Sequence, residues 1–115
     1  MDKNYLTTHV LDTYHGHPAA NMKIELWTVY KDEGIRLFTA NTNDDGRVND
    51  FGLAGNDMRG ELELLFHVRD YFVAKGVESP FLNQVPIRFT ITDINAHYHV
   101  PLLVSPWAYN TYRGS

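Results

Sequence analysis

Six histidines and no cysteine bound the chemistry open to this 115-residue chain. Without thiols there is no disulfide, no thiolate nucleophile and no cysteine-ligated zinc. His97 and His99 are two residues apart, so a strand would put both on one face. That spacing suits a metal pair. No carboxylate triad lies nearby, so a metal fits poorly and His97 reads as support for His99. His9 lies in an apolar stretch and, taken alone, reads as a structural histidine. Arg47 follows the turn Asn43-Asp44-Asp45-Gly46 and, taken alone, reads as an exposed charge at a strand start. His15 and His17 read as solvated loop residues, open at most to adventitious metal. His67, between Phe66 and Val68, reads as packing or surface.

The elements that would position these residues are strands. Tyr5–Leu11 is dense in Thr, Val and Leu. Asp12–Pro18 is turn chemistry, punctuated by Gly16 and Pro18. Met22–Tyr30 alternates, with Met22, Ile24, Leu26 and Thr28 on one face. Asp32-Glu33-Gly34 signals a hairpin into Ile35–Thr42. Gly46 can take φ > 0 in the turn before a short strand at Arg47. Asn56–Gly60 reads as a loop, and Glu61–Val68 alternates again. Arg69–Lys75 is the one plausible helix, stopped by Gly76. Pro80–Pro86 reads as a loop, and Ile87–Ile94 is a further strand. His97–Val104 and Trp107–Tyr112 complete eight strands, hinged at Ser105-Pro106. Eight short strands with regular turn signals indicate an all-β sandwich in one domain, residues 1–115. Trp27 and Trp107 read as core or interface residues.

The final stretch is unusual. Chain ends are ordinarily polar and fray, yet His97–Ser115 carries strand sequence almost to its last residue. His97–Val104 is apolar on both faces toward its C-terminal end. An antiparallel strand normally keeps one face in water, so this predicts a covering second chain and a symmetric oligomer.

Composition is that of a globular domain, 43% hydrophobic and 21% charged, with net charge −4. Such a chain has no global field for nucleic acid or anionic membrane, and no run reaches the ~20 apolar residues of a membrane span. The N-terminus shows no secretory signal. The expected location is cytoplasmic, or periplasmic if a leader has been removed.

Three motifs together resemble the transthyretin-like 5-hydroxyisourate hydrolases over essentially the whole chain. The first is Thr8-His9-Val10-Leu11-Asp12 followed by Gly16, Pro18 and Ala19. The second is Thr42-Asn43-Asp44-Asp45-Gly46-Arg47. The third is His97-Tyr98-His99-Val100-Pro101-Leu102-Leu103 with the terminal Tyr112-Arg113-Gly114-Ser115. Asn21, where the family often has Gly, and Pro80-Phe81-Leu82-Asn83 depart from its pattern, away from the motifs. The resemblance implies a transthyretin-like (prealbumin) eight-stranded β-sandwich with one short helix. It implies a homotetramer with active sites where dimers meet. It also implies hydrolysis of 5-hydroxyisourate to 2-oxo-4-hydroxy-4-carboxy-5-ureidoimidazoline in urate catabolism, with no cofactor and no metal. By motif, the catalytic residues would be His9, Arg47, His99 and Ser115, and the substrate-binding residues Tyr112, Arg113 and Gly114. The sequence leaves open which histidine is the base. The first assignment has His9 activating water beside Ser115 while His99 and Arg47 bind and polarise the substrate. The rival reading is a transthyretin-like carrier that binds a small molecule without turnover, for which an apolar open channel would be the mark.

Overall fold

A computed structural model describes residues 5–53 and 57–114. Among the described residues, nine strands and one helix form the all-β sandwich expected from the sequence. In chain order they are β1 (Leu6–Asp12), β2 (His17–Pro18), β3 (Lys23–Tyr30), β4 (Glu33–Asn41) and β5 (Arg47–Val48), then β6 (Gly60–His67), α1 (Val68–Ala74), β7 (Gln84–Ile91), β8 (Tyr98–Val104) and β9 (Tyr109–Thr111). One sheet runs β2-β1-β8-β9, with β5 also paired to β1. The other runs β4-β3-β6-β7. The core between them holds Val10, Met22, Ile24, Leu26, Leu62, Leu64, Phe66, Phe72 and Leu102, all fully buried.

Strand alternation decides which residues leave the core. On β1, Leu6, Thr8, Val10 and Asp12 point inward, which turns Thr7, His9 and Leu11 outward. On β8, Tyr98, Val100 and Leu102 point inward, which turns His99, Pro101 and Leu103 outward. β1 and β8 pair in parallel, the remaining ladders being antiparallel, with Thr7 opposite His99 and His9 opposite Pro101.

Several boundaries differ from the sequence expectation, each for a local reason. The β3–β4 hairpin turns at Lys31-Asp32, where both residues take positive φ (51° and 63°) and Tyr30 pairs with Glu33. That is the preferred two-residue hairpin geometry. Gly34 therefore lies in the strand, where a Cβ would meet the Trp27 ring at 3.2 Å. Leu37 is an extra residue on β4, since Leu26 pairs with Phe38 but Trp27 with Arg36. Beyond this bulge Val29, not Thr28, is the buried residue of β3. β7 begins at Gln84 and contains Pro86, which is tolerated because β7 is a sheet edge. The Asp12–Pro18 turn ends in a short extra pairing, with Leu11 opposite Pro18 and Asp12 opposite His17. Of the expected Asn56–Gly60 loop, Asn56 lies outside the described residues.

Helix α1 starts one residue earlier than expected and stops at Gly76 (φ 74°). The Gly76 and Val77 amides donate to Val73 and Phe72 carbonyls, closing a Schellman end. Tyr71 ties the helix to β1 by donating to Asp12 Oδ2 at 2.8 Å. Burial alone would raise the Asp12 carboxyl, but hydrogen bonds from His15 and Tyr71 outweigh it and hold it below its ordinary value.

Candidate active site

Arg47 reaches the site through a turn whose hydrogen bonds can be traced. The Asn43 side chain accepts from the Asp45 amide at 3.0 Å and the Arg47 amide at 2.9 Å. Gly46 takes φ 75° and donates to the Asn43 carbonyl at 2.9 Å. A Cβ on Gly46 would meet the Val10 carbonyl at 2.5 Å, so only glycine lets the turn lie against β1. Thr42 anchors the approach, donating to the Ala19 carbonyl at 2.6 Å and accepting from the Met22 amide at 2.8 Å. Arg47 then pairs directly with His9 across β1 and β5.

His99 comes to the same face from β8. With Thr7 opposite His99, His9 is two residues further along the neighbouring strand, which sets their Cα atoms about 8 Å apart by ordinary strand spacings. The Thr7 hydroxyl contacts both His99 Nδ1 at 2.8 Å and His97 Nε2 at 3.0 Å. A hydroxyl has one proton and two lone pairs, so at least one ring donates to it and the other either donates or accepts. The two imidazoles lie nearly parallel with centroids 6.4 Å apart. Thr7 therefore locks both rings, a role the sequence did not suggest. Its position two residues before His9 on the same face was the available signal.

The electrostatics around His99 push mainly one way. Burial pushes its pKa below the ordinary imidazole value, the neighbouring His97, Arg47 and His9 groups push it further, and a hydrogen bond at Thr7 opposes them in part. His99 is therefore held neutral, with its Nε2 left over after Nδ1 meets Thr7.

The terminal motif divides between two faces. Gly114 forms a bridge with His99, donating its amide to the His99 carbonyl at 2.8 Å. A Cβ there would come within 2.5 Å of the His99 ring, so Gly114 belongs with the histidines. Arg113 does not. Its guanidinium lies over the Tyr98 ring, 4.4 Å from the centroid. Tyr112 and Arg113 line an open cavity of about 430 Å³ with Thr92, Tyr98, Val100 and Thr111, on the core side of the sheet. Ser115 lies outside the described residues. The structure thus brings His9, Arg47, His99 and Gly114 together, adds Thr7 and His97, and sets Tyr112 and Arg113 apart.

His9 and His99 are half-buried and face away from the core of the sandwich. Chemically the face offers one neutral imidazole, further imidazoles and a guanidinium. That set can accept a proton from water and stabilise a nascent oxyanion. A metal is a weaker fit there, because the adjoining charges are cationic and the nearest ring nitrogens are tied to Thr7.

A family model described as "HIUase/Transthyretin family" matches residues 6–114. A protein named 5-hydroxyisourate hydrolase from Halalkalibacterium halodurans is 50% identical over 115 residues, covering 96% of this chain and 97% of its own. The crystal structure of (S)-allantoin synthase is 43% identical with TM-score 0.87 and covers 96% of this chain, which spans 43% of that protein's length. The crystal structure of transthyretin from Sparus aurata has TM-score 0.88 and covers 97% of each chain at 22% identity, a likeness of fold alone.

Proposed function

This chain belongs to the HIUase/Transthyretin family, and on that premise we propose that it is a hydrolase that opens the ring of 5-hydroxyisourate in urate catabolism. The observation that carries the mechanism is the neutral, cation-surrounded His99 on one face with His9 and Arg47. His99 accepts a proton from water through Nε2, and the resulting hydroxide adds to the ring carbonyl. Arg47 donates to the oxyanion that forms. The C–N bond then breaks as the His99 imidazolium returns its proton to the leaving nitrogen, giving 2-oxo-4-hydroxy-4-carboxy-5-ureidoimidazoline. Proton transfer of this kind contributes roughly 10²–10⁴-fold.

The depressed proton affinity of His99 moves the first choice of base from His9 to His99. His9 then binds and polarises the substrate beside Arg47. Gly114 lies so close to the His99 ring that no larger residue fits, and the terminal motif assigns Ser115 a role in completing the site. Tyr112 and Arg113 bind substrate less directly, through the course they set for the terminal segment. No cofactor is invoked. The carrier reading is disfavoured by the polarity of the face, since a channel for an apolar ligand would not concentrate imidazoles and a guanidinium.

The half-buried, outward-facing histidines also support a homotetramer, as the family resemblance implies, in which second copies close the site. Light scattering after gel filtration tests this, and a monomer with full activity would remove that part.

The activity test follows the absorbance of 5-hydroxyisourate freshly made from urate, with wild type and a Ser115-deleted form. Accelerated decay that is lost on deletion supports both the reaction and the place of the terminus. Decay at the spontaneous rate with wild type rejects the hydrolase.

A further inference from the structure

The turn joining β1 and β2 holds a second histidine pair, unused by the chemistry above. His15 and His17 flank Gly16, which takes φ 80° and whose amide donates to the Asp12 carbonyl at 2.8 Å. The His15 amide donates to Asp12 Oδ1 at 2.9 Å, so the turn is wound tightly around the Asp12 carboxylate. This winding brings the two imidazoles together, their planes 9° from parallel and their centroids 5.3 Å apart. Tyr14 stands edge-on to the His15 ring at 5.0 Å, and Phe72 lies against it at 6.4 Å. The His15 ring is therefore held, although the turn is exposed.

The hydrogen bonds of the two rings are the informative feature. His15 Nδ1 lies 2.5 Å from Asp12 Oδ2, a fully buried carboxylate that also accepts from Tyr71. His17 Nδ1 lies 2.9 Å from the Pro18 carbonyl. Both oxygens are acceptors only, so in each neutral ring the proton sits on Nδ1 and the lone pair on Nε2. A carboxylate behind one imidazole and a backbone carbonyl behind the other is the support that metal-binding histidines ordinarily have. A carboxylate oxygen of Asp12 and one ring nitrogen, Nδ1 or Nε2, of each of His15 and His17 lie within 4.8 Å of one another. Simple stacking of two surface rings would require neither Nδ1 to be tied down.

We propose that His15 and His17 form a surface site for a divalent transition-metal ion, binding it through their Nε2 atoms, with Asp12 as the positioning carboxylate behind His15. Asp12 has both oxygens engaged within the protein, so the ion takes its remaining ligands from water. Imidazole donors rank the metals with Cu²⁺ above Ni²⁺ and Zn²⁺. The site shares no residue with the His9, Arg47 and His99 face, so it stands whether or not the hydrolase reading does.

The test is calorimetric titration of the full chain with Cu²⁺ alone, repeated with His15→Asn and His17→Asn. Both substitutions are at exposed positions and leave the core and the hydrolytic face intact. The copper EPR spectrum, read alongside, reports the equatorial nitrogens. The expected result is one site per chain that weakens at least tenfold in either variant, with loss of nitrogen splitting and no change in 5-hydroxyisourate decay. Equal affinity in wild type and both variants would overturn the proposal. So would a loss confined to one variant, which would show that the histidines do not act as a pair.

Discussion

Each sheet turns histidine outward, and the two sheets treat it in opposite ways. On the sheet containing β1 and β8, the groups acting on His99 are His97, Arg47 and His9, none of them a carboxylate. On the other sheet, His67 Nε2 lies 2.5 Å from Glu25 Oε2 under helix α1, and both residues are buried. Trp27 Nε1 donates to the other Glu25 oxygen at 3.1 Å, Arg36 stands 3.8 Å from it, and Asp70 lies 3.7 Å from His67 Nδ1. Burial would raise the Glu25 carboxyl, but hydrogen bonds from His67 and Trp27 outweigh it and hold it below its ordinary value. An imidazole given a carboxylate becomes a tie between elements. An imidazole crowded by cations and denied a carboxylate stays neutral and keeps a lone pair for chemistry.

The sharpest way to break this contrast is to exchange the two histidines' fates by mutation. His99→Asn should lower kcat by about two to four orders of magnitude, the span of general-base catalysis, while the melting temperature changes little. His67→Asn should do the reverse, lowering the melting temperature and leaving kcat near wild type while the protein is folded. A His9→Asn variant losing more rate than His99→Asn would return the base to His9.

Next in size is Gly114→Ala. The added methyl meets the His99 ring at 2.5 Å, and Gly114 lies near the end of the chain where backbone can give. We expect kcat to fall about tenfold or more, in proportion to a misplaced catalytic group, with stability nearly unchanged. Urea unfolding beside the kinetic assay separates the two, and full activity would show that Gly114 does not position His99.

Glu25→Gln tests the structural side. Weakening a buried hydrogen-bonded group costs about 1–3 kcal/mol, read as a lower urea midpoint at neutral pH with kcat preserved. The sign with pH is fixed by the depressed Glu25 carboxyl. Its contribution is fully present above the ordinary value of 4.5 and is lost as pH falls through the folded-state value. Wild type should therefore lose its advantage over the variant on acidification below about 4.5. A gap that stays constant would place the stabilisation in packing instead.

The sequence made one half of the contrast easier to read than the other. The Asn43–Gly46 turn was legible because its residues carry their own geometry, so Arg47 was placed at a strand start correctly. The alternation of β1 and β8 was legible for the same local reason, and it put His97 and His99 on one face. The place of Thr7 on the His9 face was legible in the same way, but its contact with the two histidines was not, because the parallel β1–β8 pairing joins residues 90 and 92 positions apart. The His67–Glu25 tie was hidden in the same way, 42 residues apart in sequence. Arg113 shows the limit of a motif. It adjoins Gly114, yet it stacks on Tyr98 on the opposite side of the sheet, because successive residues of an extended chain face opposite ways.

The smallest effect examines the cation crowding itself. His97 does not need to touch the substrate to matter, since its charge is among those that depress His99. His97→Asn removes that charge and keeps a polar group within reach of Thr7. The His99 pKa should then move up, toward the ordinary imidazole value of 6.5. Because the neutral ring is the active form, the acid limb of kcat/KM should shift to higher pH while the plateau above it stays at wild-type height. A lowered plateau with an unmoved limb would mean that His97 acts on geometry through Thr7 rather than on proton affinity. A limb displaced to lower pH would show that the field on this face is not the cationic one that distinguishes His99 from His67.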